Sequence, residues 1–176
     1  VFDVSPGEMY FASLERYFAS PRPGVPYLTA RDYGSRLAGV IVKYEAERDV
    51  AARALGAPVH VVPNGVPLPE PVPARAVSPL VLGTAVRIHP HKKIEELLDA
   101  FRLVHDGNAE VTLHVAGGPD FGQEAYFEAL QRSTSDLPVT WLGETAVEPF
   151  LRTLDVFALV AEPAGCPNAS LEALAA

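Results

Sequence analysis

The sequence predicts an α/β fold built on a parallel sheet, and two observations carry that expectation. Four short apolar runs, LVLGTAV (80–86), VTLHVA (111–116), VTWL (139–142) and DVFALVA (155–161), succeed one another through the second half of the chain. Each is separated from the next by a segment long enough for a helix; the clearest such segment carries Ile94, Leu97, Leu98, Phe101 and Val104 at the 3.6-residue period. Strands that alternate with amphipathic helices pair in parallel, because a parallel neighbour is reached only through a crossover.

The elements before these runs read less regularly. SPGEMYFASLERYFAS has Ser5 as a candidate N-cap, Pro6 in the first turn and Phe11, Leu14 and Phe18 on one face, which predicts a helix. AGVIV (38–42) predicts a short buried strand, EAERDVAARAL (45–55) a helix, and VHVV (59–62) a second strand. Six of the 17 residues from Pro63 to Pro79 are proline, which serves neither helix interiors nor central strands, so this stretch is expected to be a linker or hinge. The implied organisation is the end of one domain over residues 1–62, a proline-rich hinge over 63–79, and part of a second domain over 80–176. The chain starts at Val1 and stops inside an apparent helix at Ala176, so it is expected to be incomplete at both ends.

Composition removes several classes of function. The 176 residues hold 14 Lys+Arg against 22 Asp+Glu, a formal net charge of −8, whereas a nucleic-acid backbone or an anionic membrane calls for a basic partner. The single cysteine, Cys166, can form neither an internal disulfide nor a metal cluster, which fits a reducing, cytoplasmic setting. No apolar run approaches the roughly 18 to 20 residues that span a bilayer.

In parallel sheets ligands sit beyond the carboxyl ends of the strands, so the loops after Val86, Ala116, Leu142 and Ala161 are where chemistry is expected. The first loop, RIHPHKK, packs Arg87, His89, His91, Lys92 and Lys93 into seven residues ahead of a helix N-terminus. Fixed cations there suit a phosphate or pyrophosphate, and a solvated basic turn is the alternative. Without a nearby carboxylate or thiolate, His89 and His91 are read as capping or surface residues rather than metal ligands, and no metal site is expected. In the second loop, GGPDFGQE, Pro119 stands where the second glycine of a dinucleotide fingerprint would fall, which disfavours a nicotinamide-dependent oxidoreductase. In the fourth, EPAGCPNASLEALAA, Gly165 and Pro167 break the chain before a helix. The amides of Asn168, Ala169 and Ser170 can then receive an anion, and Glu172, one turn in, can accept hydrogen bonds from a ribose diol or simply complement the helix dipole.

Taken together, VVPNGV leading into the hinge, GTAVRIHPHKKIEELLDAF, LHVAGG, VTWLGE and DVFALVAEPAGCPNASLEALA resemble the retaining, nucleotide-sugar-dependent glycosyltransferases of the GT-B fold, glycosyltransferase family 4 (group 1 type). The resemblance covers residues 61–175 and implies a Rossmann-like C-terminal donor domain, truncated, preceded by the tail of the acceptor-side domain. By position it implies that Arg87 and Lys92 hold the donor diphosphate and that Glu172 binds the ribose. It also implies that Gly165, Asn168, Ala169 and Ser170 lie around the diphosphate and donor sugar, and that Thr145 falls near the base-binding loop. Arg87, Lys92 and Glu172 are thus the expected catalytic set.

The implied reaction moves a hexosyl-type group from a nucleotide-diphospho sugar to a hydroxyl of a sugar, lipid-linked or small-molecule acceptor. Retention and metal independence are expected, no Asp-x-Asp occurs in the chain, and no cofactor beyond the donor is expected. The sequence departs from the family pattern at Ala164, where the family has the first glutamate of Glu-x7-Glu, with Glu162 two residues early. Lys93 also replaces the glycine that usually follows Lys92, and Val86 the one before Arg87. Ala164 keeps open a catalytically impaired nucleotide-sugar-binding module, and the resemblance also leaves open a nucleotide-sugar epimerase of the same two-domain fold. The 176 residues alone are expected to be inactive.

Overall fold

The computed structural model describes residues 16–18, 24, 29–68, 70, 79–160 and 167–176. Of the helix expected after Ser5, Phe11 and Leu14 lie outside the described residues, while residues 16–18 are helical and Phe18 is buried. The described chain falls into two compact units, one drawn from residues 1–65 and the other from residues 66–160 and 167–176.

The first unit holds α1 (Ala30–Gly34), β1 (Val40–Val42), α2 (Arg48–Leu55) and β2 (Val59–Val61). The short α1 was not legible as a helix, since ARDYG has weak helix propensity. It forms because Thr29 caps it, its hydroxyl accepting the Asp32 N–H at 2.9 Å, and because its buried face joins the core. The segment 45–55 starts as a 3₁₀ turn over Glu45–Glu47 and becomes α-helical only at Arg48, ending at Gly56 in the left-handed conformation. β1 and β2 pair in parallel, Val40 opposite Val59, over a core of Phe18, Ala30, Val40, Val42, Ala51, Leu55 and Ala57.

The second unit runs β3 (Leu80–Ala85), α3 (Ile94–Gly107), β4 (Val111–Ala116), α4 (Glu124–Ser133), β5 (Val139–Gly143), α5 (Val147–Leu151), β6 (Val156–Phe157) and α6 (Asn168–Ala175). Its four strands are all parallel in the order β5-β4-β3-β6. Alternation along β3 sorts the helices onto the two faces of the sheet. Leu80, Leu82 and Val86 pack with Leu97, Leu98 and Phe101 of α3, Leu130 of α4, and the fully buried Leu113 and Val115 of β4. Ala85 packs instead with Phe150 and Leu151 of α5, Leu154, Phe157 and Ala173 of α6. The sheet is therefore covered on both sides, as a doubly wound α/β arrangement requires.

Two expectations need correction. Val104, assigned to the apolar stripe of α3, is 44% exposed. The chain turns away just beyond it at Asn108, whose N–H bonds to the Val104 and His105 carbonyls, so the buried stripe ends at Phe101. The run 155–161 yields a strand of only two residues. Asp155 begins it, its carboxylate accepting the Val81 N–H at 2.8 Å and its own N–H bonding to the Val81 carbonyl; Ala158 closes it on the Gly83 carbonyl. Among the described residues β6 is an edge strand with one neighbour, β3, to pair with. No described helix is long and apolar enough to cross a membrane.

Candidate functional site

The strand order decides where a ligand can sit. The chain leaves β3 toward β4 and β5 on one side and returns to β6 on the other, so the order reverses between β3 and β6. In open parallel sheets the crevice beyond the carboxyl ends at such a reversal receives the ligand, because the two connections diverge there to opposite faces. The connection leaving β3 at this reversal is the loop from Val86 to Lys93; the one after β6 runs through residues 161–166, outside the described residues, before α6.

The first of these loops is built on a continued ladder. Past the end of β3, Val86 N–H bonds to the Ala116 carbonyl at 2.9 Å and Ile88 N–H to the Gly118 carbonyl at 2.8 Å. The Asp120 N–H returns to the Ile88 carbonyl at 3.0 Å. Ile88 is fully buried, and because side chains alternate in extended backbone, Arg87 between these anchors points the other way and is exposed. Its guanidinium meets the Asp120 carboxylate at 3.4 Å. Gly117 makes the ladder possible, since its φ is 126° and a Cβ there would lie 1.8 Å from the Val86 carbonyl oxygen. The same glycine donates its N–H to the Gly143 carbonyl at 2.7 Å, so the loops after β3, β4 and β5 form one connected edge.

After Ile88 a single 3₁₀ turn, Pro90–Lys92, leads into α3. His89 caps it, its Nδ1 accepting the His91 N–H at 3.2 Å, and the two imidazoles stack 4.7 Å apart. That bond uses one ring nitrogen of His89 structurally, in line with a capping role. Lys92 is half-buried on the turn. Lys93 sits at φ 48° and ψ 45°, the one described non-glycine residue at positive φ. This explains the expectation of glycine there, since an ordinary side chain in that region costs about 1–2 kcal/mol.

On the other flank, α6 starts after Pro167, whose backbone is extended. Gly165 and Cys166 lie outside the described residues, as do Glu162 and Ala164. The expectation of three receptive amides needs adjustment, because the Ser170 N–H is already bonded to the Pro167 carbonyl at 3.2 Å in a tight first turn. Glu172 lines a pocket of about 170 Å³ with Pro67, Val147, Glu148, Leu151 and Ala176. Thr145 is exposed and precedes Val147 and Glu148 by two and three residues, so its loop leads directly into that pocket wall. Glu148 carries its own counterion, Arg152, at 2.9 Å. The pocket thus offers carboxylate acceptors, Glu148 and Glu172, beside apolar side chains.

Residues 79–176, more than half of the chain, match the model of the family described as glycosyl transferases group 1. The chain belongs to that family.

Solved structures agree with this membership at the level of the fold. A mutant of S. aureus TarM in complex with fondaparinux, alpha-GlcNAc-glycerol and UDP superposes with a TM-score of 0.67 at 19% identity, over 83% of this chain and 29% of that one. The pneumococcal O-GlcNAc transferase GtfA in complex with UDP and GlcNAc gives 0.68 at 15% identity, over 81% and 29%. HepE of Anabaena in complex with UDP and glucose gives 0.67 at 19% identity, over 83% and 44%. The chain therefore spans less than half the length of these structures, and the fold it shares with them is that of GT-B glycosyltransferases. No match was found among curated protein sequences.

Sequence reasoning missed Asp120, Val147, Glu148 and Leu151. Asp120 is 33 residues from Arg87, and the pocket wall comes from a five-residue helix with no motif of its own. The one available signal was that GGPDFG and ETAVEP both follow carboxyl ends of strands.

Proposed function

We propose that the protein containing this chain transfers a sugar from a nucleotide-diphospho sugar to an acceptor hydroxyl, with retention at the anomeric carbon and without a metal, as a family 4 enzyme. The observation that supports the reading is the reversal of strand order between β3 and β6, with the loop that carries Arg87 and Lys92 leaving the carboxyl end of β3 beside it. Membership of a glycosyl transferase family supports it, as do the UDP complexes of the three fold neighbours. In this mechanism the bond from the anomeric carbon to the diphosphate oxygen breaks while the acceptor oxygen bonds to that carbon and passes its proton to an oxygen of the departing diphosphate. Arg87 and Lys92 stabilise the charge that gathers on the departing diphosphate, which is electrostatic preorganisation. Glu172 holds the ribose hydroxyls, and the loop of Thr145 faces the base. Asn168 and Ala169 add their amides beside the diphosphate.

The test is donor binding by the full-length protein. Arg87→Ala and Lys92→Ala are each expected to weaken UDP or donor binding about 10–100-fold, the worth of one charge-assisted hydrogen bond. Unchanged affinity in both variants sinks the assignment. Activity that survives a chelator, and a product whose anomeric configuration matches the donor, are the expected outcomes for metal independence and retention.

A second reading, nucleotide-sugar binding without turnover, is favoured by Ala164 in place of the first motif glutamate. Under it the protein binds UDP but turns over only after Ala164→Glu.

A further inference from the structure

We propose that Asp120 is the positioning residue of Arg87. It holds the guanidinium as a counterion before the donor arrives, and the diphosphate must draw Arg87 away from it. This rests on the reading of Arg87 as a diphosphate ligand.

The geometry is that of a fixed carboxylate and a movable cation. The Asp120 backbone is tied on both sides, its N–H to the Ile88 carbonyl at 3.0 Å and its carbonyl to the Gln123 N–H at 2.9 Å. Its side chain is tied as well, Oδ1 accepting the Phe121 N–H at 3.0 Å. That leaves Oδ2 facing Arg87 at 3.4 Å. The Ile88 that anchors Asp120 is the residue next to Arg87, so the two side chains are held in register by the same ladder. Arg87 itself is 76% exposed, against 37% for Asp120, so the cation is the partner able to leave. A single contact at this distance is a weak hold on the guanidinium, and a diphosphate, with more charge and more acceptors than one carboxylate oxygen, displaces it at a small cost in affinity.

Isothermal titration of the full-length protein with inorganic pyrophosphate and with UDP tests this in the wild type, Asp120→Asn, Arg87→Ala and the double variant. Asparagine keeps the acceptor for the Phe121 N–H and removes the charge. Asp120→Asn is expected to tighten binding of both probes about 3–5-fold at low salt, the size of an exposed ion pair, with an unchanged melting temperature. In the Arg87→Ala background the same substitution should gain less than about 1.5-fold, because the effect acts through Arg87. An equal gain in both backgrounds would identify plain repulsion between carboxylate and phosphate and overturn the positioning role. Weaker or unchanged binding by Asp120→Asn overturns it too. If the wild type binds neither probe, the donor-site reading itself fails and the inference falls with it.

Discussion

Lys93 shows what one residue's backbone does for the site. It is both the end of the 3₁₀ turn after His89 and the cap position of α3, and the chain can reverse there only in the left-handed region. Its ammonium lies 3.8 Å from Glu96, a half-exposed pair of a kind worth under about 1 kcal/mol. Lys93→Gly should therefore stabilise the protein by about 0.5–1 kcal/mol after the extra freedom of the unfolded chain is subtracted, seen as a rise of a few degrees in thermal unfolding. A lower melting temperature would mean that the lysine contacts outweigh the strain. Arg87 and Lys92 were legible because a cluster of cations after an apolar run is a local pattern. The partner of Arg87 was not, because Asp120 meets it only once β3 and β4 are paired.

At the level of elements, those carried by an apolar run or a helical period were readable, β1 and β2 included, and those whose extent is set by a side-chain anchor were not. β4 falls on the residues expected, since VTLHVA is apolar at each inward position and is buried between two strands. β6 and α1 depend instead on side-chain anchors, Asp155 and Thr29, which periodicity does not report. A comparable anchor joins α3 to α4, where the Tyr126 hydroxyl donates to Glu95 Oε2 at 2.5 Å. Burial first, then this bond and the Glu95 charge, push the Tyr126 pKa well above its ordinary value near 10. The folded state therefore keeps a proton that the unfolded chain loses as pH passes 10, so this contribution is present below pH 10 and lost above it. Tyr126→Phe should flatten the fall in stability between pH 10 and 12, measured by urea unfolding at each pH. An unchanged slope would show that the pair is not coupled to folding.

At the scale of the whole molecule, an acidic chain of net charge −8 gathers three of its 14 Lys and Arg, namely Arg87, Lys92 and Lys93, on one loop beyond the end of β3. Because Arg87 is exposed, its attraction for a phosphate is screened by salt, and UDP affinity should fall several-fold between 0.05 and 0.5 M sodium chloride. Affinity that ignores salt would point to a buried anion site elsewhere. The order β5-β4-β3-β6 is what gathers the site, and it is invisible in any one segment: four similar apolar runs are compatible with several orders. By itself, the sequence determined that the second half is a parallel α/β unit and which loops carry charge, because burial periodicity and loop composition are local properties. Tertiary structure alone decided which loops flank the reversal, that Asp120 faces Arg87 and that Glu172 shares a pocket with Glu148. Those are contacts between residues far apart in the chain, set by how strands pair and helices pack.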